Sequence, residues 1–85
     1  MKQAKKDQKK KYNNKELKQL GDRIKYLRIH KAKYSNYENF AYDNDIPRAQ
    51  YGRYEKGEDL RYSSLQRVVK ALGVTMEEFF SEGFE

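Results

Sequence analysis

The chain has a single proline, Pro47, and a glycine, Gly57, stands ten residues beyond it. Proline lacks a backbone donor and pushes the residue before it, Ile46, out of the helical region. It also suits the first turn of a new helix. The stretch Asp45-Ile46-Pro47 therefore breaks one helix and starts another, and Gly57 stops the second. The helix between them spans about 47–56. A chain of 85 residues punctuated in this way is limited to one small domain built from short helices.

The apolar spacing on either side fits that limit. Leu17, Leu20, Ile24 and Leu27 recur every three or four residues and form one stripe of an amphipathic helix over about 15–31. Asn36 is a good N-cap for a short helix over 36–44 that presents Phe40 and Ala41. After a loop at 58–61, Ser63 or a neighbour can cap a fourth helix. Its residues Leu65, Val68, Val69 and Leu72 have the cleanest helical periodicity in the chain, and Gly73 closes it. Thr75 caps a fifth short helix, with Glu77 and Glu78 in its first turn and Met76, Phe79 and Phe80 as its apolar face. The expected fold is all-α, a compact domain of five helices over 15–82, with no strand signal. The stripes are expected to share one core.

Charge divides the chain in two. Residues 1–15 hold seven lysines against Asp7 alone, whereas the remaining 70 residues hold 12 basic and 12 acidic side chains. The net charge of +6 therefore belongs to the N-terminal segment. Residues 1–14 read as a disordered lysine-rich arm, able to add sequence-independent attraction to phosphates. The chain has no cysteine, which excludes disulfides and thiolate zinc sites and fits a cytoplasmic protein. No apolar run approaches the ~20 residues of a membrane helix. The basic N-terminus has no apolar segment after it and does not read as a secretory signal. His30 is the only histidine, and no phosphate-binding glycine loop or metal-ligand cluster is visible. No cofactor or metal is expected, and catalysis is not.

Two short helices joined by a tight turn suggest a helix-turn-helix. The stretch Leu20-Gly21-Asp22-Arg23-Ile24-Lys25-Tyr26-Leu27-Arg28 resembles the first helix of the phage-repressor-like (Cro/C1-type, XRE) helix-turn-helix family. Tyr37-Glu38-Asn39-Phe40-Ala41, with Ile46 through Gly57, resembles that family's motif. Leu65 through Val74 is similar to its fourth helix. The resemblance covers about residues 16–80 and implies a lambda-repressor-like fold and sequence-specific binding of double-stranded DNA by a small transcriptional regulator.

Carried over by position, it implies that Arg48, Ala49 and Arg53 face bases and that Gln50 lies near a base or the backbone. Arginine can donate two hydrogen bonds to guanine, and Ala49 could contact a thymine methyl. The resemblance also implies a phosphate anchor at Asn36 and Tyr37, and an ion pair between Arg28 and Glu55 that holds the reading helix. Lys56 and Arg61 flank the loop after that helix and suit phosphates on its other side.

Ala41 is expected to be small because two helices cross there, with Phe40, Ile46, Tyr51 and Tyr54 turned into the core. Asp45 stands where the family's turn has glycine, and Asp tolerates left-handed backbone better than most residues. Asn44 replaces a common apolar residue. Gly52 costs about 1 kcal/mol against Ala inside a helix, and reads either as room for close approach to DNA or as neutral surface.

Partner-binding or antitoxin-type modules use the same fold, and the C-terminal aromatics suit an interface. Phe80 and Phe84 are candidates for a homodimer contact. RNA binding is a third option, because bases stack on tyrosines.

Overall fold

The computed structural model describes residues 14–85. Apart from Asn14, the lysine-rich segment lies outside the described residues. Five helices and no strand occur among the described residues. They are α1 (Lys15–His30), α2 (Tyr37–Asp43), α3 (Arg48–Glu55), α4 (Tyr62–Leu72) and α5 (Met76–Phe79). No helix among them is long and apolar enough to cross a membrane.

Local chemistry explains most boundaries. Asn14 Oδ1 accepts from the amides of Glu16 and Leu17 at 2.8 and 3.2 Å and starts α1. Asn36 does the same for α2, accepting from Glu38 and Asn39 at 2.7 and 3.1 Å. Thr75 Oγ1 starts α5 by accepting from Glu78 at 3.0 Å. The start of α4 differs from the sequence expectation. Ser63 does not cap it. The cap position is Arg61, without a side-chain bond, and the helix begins at Tyr62. Pro47 occupies the cap position of α3 and so stands one residue before it; its carbonyl accepts from Tyr51 at 2.9 Å.

The ends of α2 and α3 share one device. At the end of α2 the Ile46 amide donates back to Ala41 O at 2.9 Å and the Asp45 amide to Tyr42 O at 3.2 Å. That pair of bonds needs a left-handed residue between helix and exit, and Asp45 supplies it at φ 57°. Asn44 reinforces the same end, its Nδ2 donating to Phe40 O at 2.9 Å. A polar residue at position 44 is thus used on the helix it terminates. The pattern repeats after α3, where Gly57 has φ 99° and the Glu58 amide donates to Arg53 O at 3.1 Å.

One core joins the five helices. Ile24 and Leu27 from α1, Phe40 and Ala41 from α2, Ile46 from the turn, and Tyr51 and Tyr54 from α3 are buried together with Leu65, Val68, Val69 and Leu72 of α4 and Phe79 of α5. Leu20 packs partly buried at its edge, and Leu17 is half-buried. Arg23, which the sequence placed on no site, is also buried. Its Nε donates to Phe79 O at 2.7 Å and its Nη2 to Glu78 O at 2.9 Å, so α1 holds the end of α5.

A close helix approach lies at Gly21. A Cβ there would stand 2.7 Å from Glu55 O, 2.8 Å from Tyr54 O and 2.9 Å from Gly57 N, all backbone atoms of α3 and its exit. Alanine is the better helix former by about 1 kcal/mol. Gly21→Ala is nonetheless expected to destabilise the protein by about 1–3 kcal/mol, the usual range for overpacking. Urea unfolding followed by circular dichroism measures it, and a stabilised variant would contradict the close crossing.

Candidate nucleic-acid interface

Helix α3 is buried on one side and open on the other. Tyr51 and Tyr54 fill the core side. At 100° per residue, Arg48, Ala49, Gly52, Arg53 and Lys56 fall within one arc of the helix. Arg48, Ala49, Arg53 and Lys56 are exposed, the two arginine side chains to 70% and 56%.

The helix is held from behind by an ion pair. Arg28 Nε and Nη2 donate to the two Glu55 carboxylate oxygens at 2.7 and 3.0 Å, and Arg28 Nη1 donates to Tyr34 O at 2.8 Å. The side chains of Arg28 and Glu55 are only 4% and 9% exposed. Hydrogen bonding to Glu55 raises the guanidinium pKa above its ordinary value, outweighing burial. The pairing implied by the resemblance is thus present in the geometry. Beside it, the Tyr51 hydroxyl is enclosed next to the Glu55 carboxylate and, among the described residues, makes no hydrogen bond of ordinary geometry. Burial first, and the Glu55 carboxylate second, push its ionisation well above the usual phenol range.

Each candidate residue has a definite place. Arg53 Nε lies 2.8 Å from Glu58 Oε1, and Arg48 Nη1 lies 3.7 Å from Glu38 Oε2. The sequence reading assigned neither carboxylate. Glu58 could have been suspected, because a left-handed exit at Gly57 returns the chain over the last turn of α3. Glu38 pairs across from another helix, and spacing alone carries no sign of it. Gln50 is half-buried, and its amide donates to the Tyr54 hydroxyl, so it is tied to the edge of the face. Asn36 is exposed, but its Oδ1 is occupied by the amides of Glu38 and Asn39. Those two amides are therefore already used at the start of α2. Arg61 is exposed at the start of α4.

Tyr37 and Gly52 turn out to be partners. The Tyr37 ring stacks on Tyr51 with centroids 6.2 Å apart and planes at 29°. Its edge covers Gly52, where an added Cβ would meet Tyr37 Cε1 at 3.1 Å. The missing side chain at Gly52 makes room for a tyrosine of the same chain. Its place inside the helix is thereby explained without an external ligand.

Two open hollows lie at the ends of α3. One of about 550 Å³, beside Arg48, is lined by Tyr42, Pro47 and Glu38. The other, about 420 Å³, lies between Arg53 and Arg61 and includes Glu58, Asp59 and Ser64. At the opposite end of the chain Phe80 is 45% exposed and contacts Phe79 and Phe84, with centroids 4.9 and 5.0 Å away. Among the described residues the most exposed tyrosines, Tyr26, Tyr42 and Tyr62, belong to three different helices. No group of three or more His, Asp or Glu among the described residues could hold a metal ion. No protein-family model, curated protein or solved structure matches the chain.

Two stability outcomes follow from this geometry. Arg28→Ala leaves the Glu55 carboxylate without its partner in a closed site and is expected to cost about 3–5 kcal/mol. In chemical denaturation, Arg28→Met combined with Glu55→Leu should recover most of that loss. Gly52→Ala should be nearly neutral in the native background, since the Tyr37 ring opposes the gain in helix propensity. In a Tyr37→Ala background it should stabilise by about 1 kcal/mol. A double-mutant cycle with no coupling between positions 37 and 52 would contradict the contact.

Proposed function

We propose that this protein is a sequence-specific double-stranded DNA-binding regulator of the phage-repressor-like (Cro/C1-type, XRE) kind, with α2, the turn at 44–47 and α3 as its helix-turn-helix. The observation that carries the reading is the outer arc of α3. It presents two arginines, an alanine and a lysine on a helix fixed from behind by Tyr51, Tyr54 and the Arg28–Glu55 pair. Eight helical residues span about 12 Å, which suits the width of the major groove.

On this reading Arg48 and Arg53 donate to guanine O6 and N7, and Ala49 packs on a thymine methyl. The exposed ion pairs to Glu38 and Glu58 contribute little to stability. Gln50 contacts a base or the backbone from the edge of the face. Asn36, Tyr37, Lys56 and Arg61 contact phosphates, which set register without reading sequence. A homodimer through Phe80 and Phe84 would place two reading helices on two half-sites. A regulator of this kind would work in the cytoplasm. The half-exposed Phe80, backed by Phe79 and Phe84, supports a second reading as an antitoxin-type or other partner-binding module on the same fold.

Selection from a randomised duplex library at one fixed salt concentration tests the proposal. The wild type is expected to enrich a motif containing guanine, and the Arg48→Ala, Arg53→Ala double mutant to lose it. An inverted repeat in the motif would report the dimer. Binding that is salt-sensitive, selects no sequence and is unchanged in the mutant would reject base reading and leave the partner-binding module.

A further inference from the structure

We infer that Glu58 is a positioning residue for base recognition and sets the specificity of Arg53. The inference rests on the DNA-reading assignment of α3.

The two reading arginines are not held alike. Arg53 meets its carboxylate at Nε, with Glu58 Oε1 2.8 Å away. The carboxylate thus lies against the Nε edge of the guanidinium, which leaves the end formed by its two terminal amino groups open. Those groups form the fork that fits guanine O6 and N7 end-on. Among the described residues no hydrogen-bond acceptor or second carboxylate engages them. Arg48 is approached at the opposite end, Glu38 lying 3.7 Å from its Nη1. Arg48 therefore has a carboxylate beside the end that would meet a base, whereas Arg53 has its carboxylate beside Nε and can retain it.

Glu58 is well placed for the task. Gly57, left-handed at φ 99°, turns the chain back, and the Glu58 amide donates to the carbonyl of Arg53 itself at 3.1 Å. The residue is thus bonded through its backbone to the residue that its side chain pairs with. Its side chain is 32% exposed, on the wall of the hollow between Arg53 and Arg61. A guanidinium held in this way loses less conformational freedom on binding a base. The carboxylate also disfavours the wrong use of Arg53. It offsets the arginine's charge and repels phosphates, so the side chain gains little by swinging onto the DNA backbone.

The consequence is a split between specificity and affinity. Glu58→Ala is expected to reduce the guanine preference at the Arg53 base position about tenfold, ~1.4 kcal/mol. Binding to unrelated duplex should rise a few-fold, because a negative charge has left the interface. Glu58→Gln retains a carbonyl acceptor at the same reach and should keep more of the preference than Glu58→Ala. Thermal unfolding should be unchanged in both, since the backbone bond to Arg53 O remains.

The test is the same library selection with wild type, Arg53→Ala, Glu58→Ala and Glu58→Gln, together with titration of one unrelated duplex. A guanine position lost in Arg53→Ala, weakened in Glu58→Ala and partly kept in Glu58→Gln is the expected result. If Arg53→Ala erases a preference that Glu58→Ala leaves intact, the positioning role is overturned while DNA reading stands. A uniform gain in affinity for all sequences in Glu58→Ala, with preferences unchanged, also overturns it, since Glu58 would then be a repulsive charge alone. If the wild type selects no sequence, the DNA reading itself fails.

Discussion

At Gly21 the backbones of α1 and α3 meet with no side chain between them, and the orientation of α3 follows from that contact. Helix α3 could not set its own place. It has eight residues, its cap position is a proline without a side-chain bond, and its buried side chains are Tyr51 and Tyr54. A helix this short is not stable by itself. Its exit rests on α1, with the Cβ position of Gly57 3.4 Å from Lys18 Cα and 3.5 Å from Leu17 O. Seven residues after Gly21 on the same helix, about two turns, Arg28 grips the Glu55 carboxylate. The corner Glu55-Lys56-Gly57 is therefore fixed both sterically and ionically. Glu58, the residue that returns to Arg53, leaves from that corner.

The other end of α3 is held by aromatic packing. The Tyr51 ring lies within 5.2 Å of Phe40, 6.2 Å of Tyr37 and 6.5 Å of Tyr54, centroid to centroid. These rings fill the seam between α2 and α3, which Ala41 and Gly52 keep free of further bulk. At the edge of the seam the Tyr51 hydroxyl is enclosed against the buried Arg28–Glu55 ion pair. A well-packed apolar replacement of such a pair is often as stable or more so. What the polar cluster supplies here is directional. A bidentate guanidinium–carboxylate contact fixes an angle, while apolar packing alone tolerates rotation.

Residues whose role is local were legible in the sequence, and those that act between elements were not. The stripes of α1 and α4 follow from one-sided burial, and Asn36, Thr75 and Asp45 follow from the backbone groups that a helix end leaves open. The Arg28–Glu55 pair was expected only through the resemblance, because the partners stand 27 residues apart. Gly21 shows why spacing runs out. Inside a helix glycine is locally unfavourable, and only the neighbouring backbone explains it. Gly52 misled for the same reason: it was assigned to a ligand or to nothing, and it accommodates Tyr37. In the candidate site, Arg48, Ala49 and Arg53 were singled out through the resemblance, and Gln50, singled out with them, is half-buried. The carboxylate neighbours of the two arginines were not foreseen, since Glu38 comes from another helix and Glu58 from a backbone reversal.

Those carboxylates change what the face does electrostatically. Residues 16–85 carry equal numbers of acidic and basic side chains, and Arg48 and Arg53 each already have a negative neighbour. Such a surface attracts a polyanion weakly. On the DNA-reading assignment, sequence-independent attraction then falls to the seven lysines of the first 15 residues, which are distant in sequence from α3. On the same assignment the face works by competition at Arg48 and by support at Arg53. A base that offers two well-placed acceptors outcompetes or complements the carboxylate, and a base that does not leaves the arginine with its internal partner. Discrimination is then measured against an ion pair within the protein, where water alone would be a weaker reference. Salt screens the lysine segment far more than contacts in a closed groove. If the chain reads DNA as proposed, total affinity and base preference are separable quantities, held by different residues and sensitive to different conditions.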